Sequence, residues 1–193
     1  MQVQKDEVKN RIIEAALEEF LVAGYSQASM RNIAAKAGIT VGNIYSYYSG
    51  KHDLFDKILE STLEQIQELL SFQVNSEDCI TGSYITQLTD DITKVFLKNR
   101  VQFLILMNGS EGSQYENLVK SGLVKLASKR LSEDLLPMLH MKKMDSLLAD
   151  SIAIALIEGI LNIFNKYGNE EERLSTLLSL FLTVIFGDIH ARL

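Results

Sequence analysis

Cysteine and proline are almost missing from this chain: its 193 residues hold one of each. A single cysteine, Cys79, excludes an internal disulfide framework and a multi-cysteine metal site, and suits a reducing compartment. One proline and eleven glycines leave little punctuation for a turn-rich β architecture, while Leu, Ile, Ala, Glu and Lys abound. The expectation is an all-α chain. Disorder is excluded too, because 47% of the residues are hydrophobic and 23% charged, the balance of a chain that buries a core.

Uninterrupted apolar runs are also short. Residues 1–11 are polar and charged and lead into an amphipathic segment, so no secretory signal is expected. Residues 147–164 are apolar but broken by Asp150 and Glu158. Residues 174–187 number fourteen, fewer than the roughly 17–25 that a bilayer span needs. Both stretches are expected to be buried helices, with no membrane partner and a cytoplasmic location.

Catalytic and metal patterns are missing as well. Gly50-Lys51 is the only Gly-Lys pair, but Tyr45 and His52 stand where a phosphate loop needs Gly and Ser or Thr. There is no G-x-S-x-G elbow. His52, His140 and His190 are too scattered for metal-ligand spacing, and Cys79 has no neighbouring His. No enzyme, metal or cofactor is expected.

What the chain does have is an uneven distribution of charge. Residues 1–57 carry seven Lys/Arg and seven Asp/Glu; the rest carries the whole net charge of −6. No acidic residue occurs in the 33 positions between Glu19 and Asp53, where Arg31, Lys36 and Lys51 lie. An acid-free stretch in an acidic protein is what a polyanion-facing surface requires, since each carboxylate there would repel phosphate.

Apolar positions 8, 12, 13, 16, 17, 20 and 21 give the first helix one face, and Gly24 ends it. Ser29 caps a short Ala-rich helix broken by Gly38. Thr40 caps a third running to about Tyr48, stopped by Ser49-Gly50. From Lys51 a longer apolar-periodic helix begins, and a loop is expected at residues 75–78. Residues 84–107 form another helical stretch, kinked near Asn99. After the break at residues 108–112, Ser113 and Glu116 have capping-box spacing and should start a helix toward Leu136. A connection over 137–144 leads to a helix closed by Gly168. Asn169 and Glu172 then cap the last helix, which ends near Gly187.

Residues 30–47 meet the steric demands of a helix-turn-helix. Ala34 is small where the two helices touch, and Gly38 allows a positive backbone angle at the turn. Ile33, Ala37, Ile39 and Ile44 would lock the pair onto the first helix, leaving Arg31, Thr40, Val41, Asn43, Tyr45, Ser46 and Tyr47 outward. Such side chains bond phosphates and base edges, and Asn pairs bidentately with adenine. Plainer roles stay open: Tyr45 and Tyr48 as core aromatics, Arg31 as a solvated residue, Lys51 as a helix-start residue.

In these motifs, Gly24-Tyr25, Ser29-Met-Arg31-x-Ile33-Ala34, Ala37-Gly38-Ile39-Thr40-Val41-Gly42-Asn43-Ile44-Tyr45 and Tyr47-Tyr48-Ser-Gly-Lys51-His-Asp-Leu54, the chain resembles tetracycline-repressor-type (TetR/AcrR) regulators over about residues 8–60. The resemblance implies an all-helical homodimer on a palindromic double-stranded operator, with repression the usual mode and an unknown small-molecule effector controlling the spacing of two DNA-reading helices. Residues 1–50 would be the DNA-binding domain and 51–193 the larger effector-binding and dimerisation domain, about nine helices in all. Position by position, it implies phosphate contacts from Ser29, Thr40, Tyr45, Tyr47 and Lys51, and backbone or base contacts from Arg31, Val41 and Asn43. Val41 departs from the Lys often found there and offers an apolar surface to a thymine methyl. Two other readings remain open: an all-helical carrier or adaptor, and an effector-independent, chromosome-organising DNA-binding protein.

Further along, Tyr84, Phe96, Phe103, Met107 and Tyr115 supply large or adaptable side chains for an effector cavity, or simply for core packing. Ser151, Glu158, Asn162 and Asn165 form a thin polar stripe, at a pocket or at a solvated edge. The last two helices are apolar on more than one face: Ile152, Leu156, Ile160, Ile163 and Phe164, with Leu174, Leu177, Leu178, Phe181, Leu182, Ile185 and Phe186. A second apolar face should meet another chain, so these residues are expected to form a twofold dimer interface.

Overall fold

The computed structural model describes residues 2–71, 82–135, 145–167 and 170–186. Every regular element among them is helical: α1 (Gln2–Gln27), α2 (Met30–Lys36), α3 (Val41–Ile44), α4 (Lys51–Ser71), α5 (Gly82–Lys98), α6 (Arg100–Asn108), α7 (Leu118–Arg130), α8 (Ser146–Tyr167) and α9 (Glu171–Phe186). A π-helical turn, Leu131–Leu135, continues α7. The all-α class expected from the sequence is therefore what is found among the described residues. The loop at 75–78, the connection at 137–144 and the expected caps at Gly168, Asn169 and Gly187 lie outside them, as do Cys79, His140 and His190.

The chain divides into two compact units. One takes in the chain up to Gln65 together with Asn99–Val119; the other takes Ile66–Lys98 and the chain from Lys120 onward.

In the first unit, α1 packs against α2 and α6, and α2 against α3. Ile12, Ala16, Phe20, Ile33, Ile44, Leu54, Phe55 and Leu59 are buried at its centre. Phe20 meets Phe55 edge-on at 4.8 Å between centroids, and Tyr25 lies 4.7 Å from Phe55, a favourable aromatic arrangement. Gly24 breaks α1 with φ +68°, as its position in the sequence suggested, and the turn brings it against Gly109. There Tyr25 N donates to Gly109 O at 2.7 Å.

One expectation for α1 is corrected. Leu21 is 45% exposed, not part of the buried face, and the charged Glu19 is only 5% exposed. Ala15, Ala16, Glu19 and Phe20 all lie on the inward side, so the burial stripe is rotated slightly from the apolar count. The kink near Asn99 is present: α5 ends at Lys98, Asn99 has φ −124° and ψ 28°, and α6 begins at Arg100. Buried Asn99 is held from α4 by Thr62 Oγ1 at 3.3 Å and exchanges amide hydrogen bonds with Gln65.

The helix expected at Ser113 begins instead at Leu118. Ser113 Oγ donates to Ser110 O at 2.6 Å and accepts from Tyr115 N at 3.1 Å, forming a turn. The Glu116 carboxylate accepts from Gly112 N at 2.9 Å, and Asn117 at φ +59° interrupts the helical path. The side chains thus stabilise a local turn that competes with the helix.

In the second unit, α9 packs against α5 and α8, and the π-helical turn against α8. Phe96 of α5 stacks on Phe164 of α8 at 3.7 Å, both buried. Gly159 lets α9 come close: a Cβ there would run into the Phe181 ring. The two acids that interrupt α8 are taken up by α7, Asp150 by Ser128 Oγ at 2.5 Å and Glu158 by Lys120 at 2.5 Å.

Burial of α8 and α9 is one-sided, against the expectation that both are buried helices. α8 is long and apolar enough, by length and composition, to cross a membrane. Its buried residues are Ala149, Ala153, Leu161 and Phe164, while Leu147 is 73% exposed and Leu148 and Ile154 about half exposed. On α9, Leu174, Leu178 and Leu182 are buried, and Leu180 and Val184 are exposed.

Candidate nucleic-acid interface

The local chemistry of residues 29–48 builds the site. Ser29 has extended dihedrals and its hydroxyl accepts from Asn32 N at 3.1 Å, which caps α2. At the other end, Gly38 N donates to Ala35 O and Ile39 N to Ala34 O, with Gly38 at φ +66°. That pair of bonds is a Schellman closure, and only glycine adopts its left-handed angle without Cβ strain. The turn sets the direction in which the chain enters α3. Thr40 caps α3 by accepting from Asn43 N at 3.2 Å.

α3 is shorter than the sequence suggested, ending at Ile44. Ser46 N and Tyr47 N donate three residues back, to Asn43 O and Ile44 O. The Ser46 hydroxyl also bonds Asn43 O at 2.7 Å. A hydroxyl that competes for the carbonyl tightens the last turn.

Ile33, Ala34, Ala37 and Ile44 are buried, as a helix-turn-helix locked on α1 requires, and Ile39 is half-buried. Facing out are Arg31, Thr40, Asn43, Tyr45 and Ser46. Val41 and Tyr47 are half-buried, Tyr48 is buried, and Ser29 is half-buried with its hydroxyl engaged as a cap. Tyr45 is thus not a core aromatic, and Tyr48 is one. Burial, reinforced by the nearby Asp53 charge, pushes the Tyr48 phenol up.

Lys51 sits differently from a simple phosphate contact. Its ammonium donates to Tyr25 O at 2.7 Å, Ala28 O at 3.1 Å and Ser26 O at 3.3 Å, and lies 4.6 Å from the centre of the Tyr25 ring. Three donors meet three carbonyls, so the side chain ties the start of α4 to the turn before α2.

The sequence did not single out Glu19 or Asn32. The Glu19 carboxylate accepts from Asn32 Nδ2 at 2.8 Å and Ser29 N at 3.4 Å, and pairs with Lys36 Nζ at 3.3 Å. Burial pushes its pKa up, but the bonds from Asn32, Lys36 and Ser29 outweigh this and hold it below the ordinary value. Lys36 also bonds Glu18 at 3.0 Å, and that bond chiefly holds its own pKa high. An acidic residue at an inward position of the apolar repeat was the available signal.

The remaining expected site residues divide between the two units. Phe96 is in the second unit, stacked on Phe164 in its core. Phe103, Met107 and Tyr115 are in the first: Phe103 buried, Met107 half-buried, and Tyr115 half-buried at 6.1 Å from Phe55. The Tyr84 side chain lies outside the described residues. Ser151, Glu158, Asn162 and Asn165 are all exposed. Of the expected interface residues, Phe164, Leu174, Leu178 and Leu182 are at most 2% exposed. They belong to the subunit's own core, because they fill the inward stripes of α8 and α9. Ile152, Leu156, Ile160, Ile163, Leu177, Phe181 and Ile185 are half-buried.

Residues 12–58 match the family model of bacterial regulatory proteins, tetR family. The chain is 30% identical over 137 residues to the HTH-type transcriptional regulator SrpR of Pseudomonas putida, covering 71% of this chain and 60% of SrpR. It is 31% identical over 118 residues to the uncharacterized HTH-type transcriptional regulator TtgW, also of Pseudomonas putida, covering 61% of this chain and 81% of TtgW. In fold it is similar to the transcriptional regulator FadR of Bacillus subtilis, solved in complex with stearoyl-CoA. That match has a TM-score of 0.60 and 17% identity, and covers 94% of this chain and all of the other.

Proposed function

The chain belongs to the tetR family of bacterial regulatory proteins, and from that premise we propose that it is a cytoplasmic DNA-binding repressor, not an enzyme. In this proposal a homodimer binds a palindromic operator and is released by a small-molecule effector. One observation carries it: the Schellman turn at Gly38 presents Arg31, Thr40, Asn43, Tyr45 and Ser46 on an outward face, within a stretch that holds no carboxylate from residue 20 to 52. Exposed hydroxyl, amide and guanidinium groups in an acid-free stretch of chain suit phosphate and base edges.

Within this proposal residues 1–50 read DNA, and residues 51–193 bind the effector and dimerise. Ser29, Arg31, Thr40, Tyr45 and Tyr47 hold the backbone, and Asn43 and Val41 meet bases. Lys51 serves by fixing the turn at residues 25–28, since its donors are engaged there. The partner copy covers the apolar face left open at Leu148, Ile154, Leu180 and Val184, with half-buried Ile152, Leu156, Leu177 and Phe181 contributing area. FadR is solved with stearoyl-CoA, and an apolar or aromatic effector is the class that Phe103, Met107 and Tyr115 suit.

Asn43→Ala tests the reading residue. The wild-type protein should select a preferred duplex from a random-sequence library. On that duplex Asn43→Ala should lose about 1–3 kcal/mol and relax choice at one base position. Equal loss on selected and random duplexes would remove Asn43 from base reading. Failure of the wild-type protein to retain any duplex in a mobility-shift assay would sink the DNA-binding function itself.

A further inference from the structure

The seven residues of α2 and the single turn of α3 are too short to be stable alone. Buried Ile33, Ala34 and Ile44 hold them to α1, but apolar contact is non-directional and leaves rotation about a helix axis weakly specified. A hydrogen-bonded carboxylate is directional. Ser29, Asn32 and Lys36 are spaced i, i+3, i+7, one stripe running the whole length of α2, and all three meet the one carboxylate of Glu19.

The arrangement resembles a capping box made from two helices. In a one-helix box the third helical residue accepts from the N-cap amide. Here that residue is Asn32, which donates, while the acceptor for Ser29 N comes from α1. The geometry points to Glu19 as the positioning residue of the DNA-facing unit: it fixes the rotation and register of α2 on α1, and thereby the presentation of α3. This rests on the DNA-binding function proposed above.

Two costs argue against net stability and charge as the reason for Glu19. A buried ion pair as a whole is often no more stabilising than well-packed apolar residues of similar volume. A carboxylate beside a phosphate-facing surface also opposes binding to any DNA. Orientation is what remains. Lys36 is meanwhile committed to Glu18 and Glu19.

The two costs give the test opposite signs. Glu19→Leu removes the clamp and a negative charge together. Charge alone predicts tighter binding to every duplex, whereas loss of positioning predicts weaker binding to the selected duplex only. For the full-length protein, E19L should lose about tenfold affinity for a duplex selected by the wild type from a random library. Its affinity for a random duplex of equal length should be unchanged or higher. Its melting temperature should fall modestly, because Ser29 N and Asn32 Nδ2 lose their acceptor, and the amides of α2 should exchange hydrogen faster than in the wild type while those of α4 do not.

Glu19→Gln keeps acceptors for Ser29 and Asn32 but loses the pair with Lys36, and should fall between, at about threefold loss. If E19L fails to fold, E19Q carries the same comparison. Unchanged or tighter binding to the selected duplex would overturn the inference, as would parallel loss on both duplexes. If the wild type retains no duplex, the DNA-binding function fails; if it retains all duplexes equally, sequence selection and with it the positioning role of Glu19 fail. Unaltered α2 exchange in E19L would instead show that the clamp itself is wrong.

Discussion

The helices around Glu19 and the helices α8 and α9 solve opposite problems. The first unit is built from short, rather polar segments, yet its large apolar side chains are fully enclosed: Ile12, Phe20, Ile33 and Ile44 have no exposed surface. What sets its geometry is a handful of directional ties, from the Glu19 carboxylate, the Lys51 ammonium and the caps at Ser29 and Thr40. α8 and α9 are far more apolar, and still leave Leu147, Leu148, Leu180 and Val184 at least half exposed. Apolar content measures how much surface seeks cover, and says nothing of which chain provides it. Polar groups buried in a small unit mark the places where orientation must be unique.

The largest effect should come from the buried side of the apolar pair. Phe164→Ala removes a ring stacked on Phe96 and leaves a hole in the core, so denaturant unfolding should show a loss of about 3–5 kcal/mol. A loss below about 1 kcal/mol would mean that α8 is held from elsewhere. Next in size, Lys51→Met keeps the aliphatic stem but removes the ties to Tyr25 O, Ser26 O and Ala28 O. Stability should fall by about 1–3 kcal/mol in the same measurement; no change would show that polar ties do not set the first unit's geometry.

Leu180→Glu should have the smallest effect on the fold. The side chain is 59% exposed, so unfolding of the separated subunit should move by no more than about 0.5 kcal/mol. Its effect should appear in association instead: sedimentation velocity should show the wild type as a dimer and the variant shifted toward monomer. A wild type that sediments as a monomer would remove the partner from this face.

Much of the first unit was legible because its signals are local. Ser29, Gly38 and Thr40 act on amides within a few residues, so their types and spacing carry the geometry of the turn. The kink at Asn99 was legible from the residue type, although its side chain is held by Thr62 and Gln65 of α4 and does not cap α6. Glu19 was not: its place in the helical repeat is inward, but burial of a carboxylate depends on Asn32 and Lys36, brought to it by tertiary packing. Lys51 likewise needed the fold, since its carbonyl partners are more than twenty residues earlier. In α9 the periodicity showed two apolar faces without saying which was inner. The structure answers with Leu174, Leu178 and Leu182 inward and Leu180 and Val184 outward. At Ser113 the capping signal was genuine chemistry spent on a turn, because Asn117 takes a left-handed angle just beyond it.

Where Gly24 meets Gly109, two stretches of bare backbone touch. Tyr25 N bonds Gly109 O at 2.7 Å, and a Cβ on Gly109 would come within 3.3 Å of both Phe20 O and Ile105 O. Such a joint has no side-chain chemistry to adjust. It cannot be tuned by degrees, as a packed leucine can be exchanged for methionine or valine, because the smallest addition already presses on carbonyl oxygens that belong to helices. The two glycines, far apart in sequence, are thus held for different reasons: Gly109 by the closeness of Phe20 O and Ile105 O, and Gly24 by its own left-handed φ of +68°.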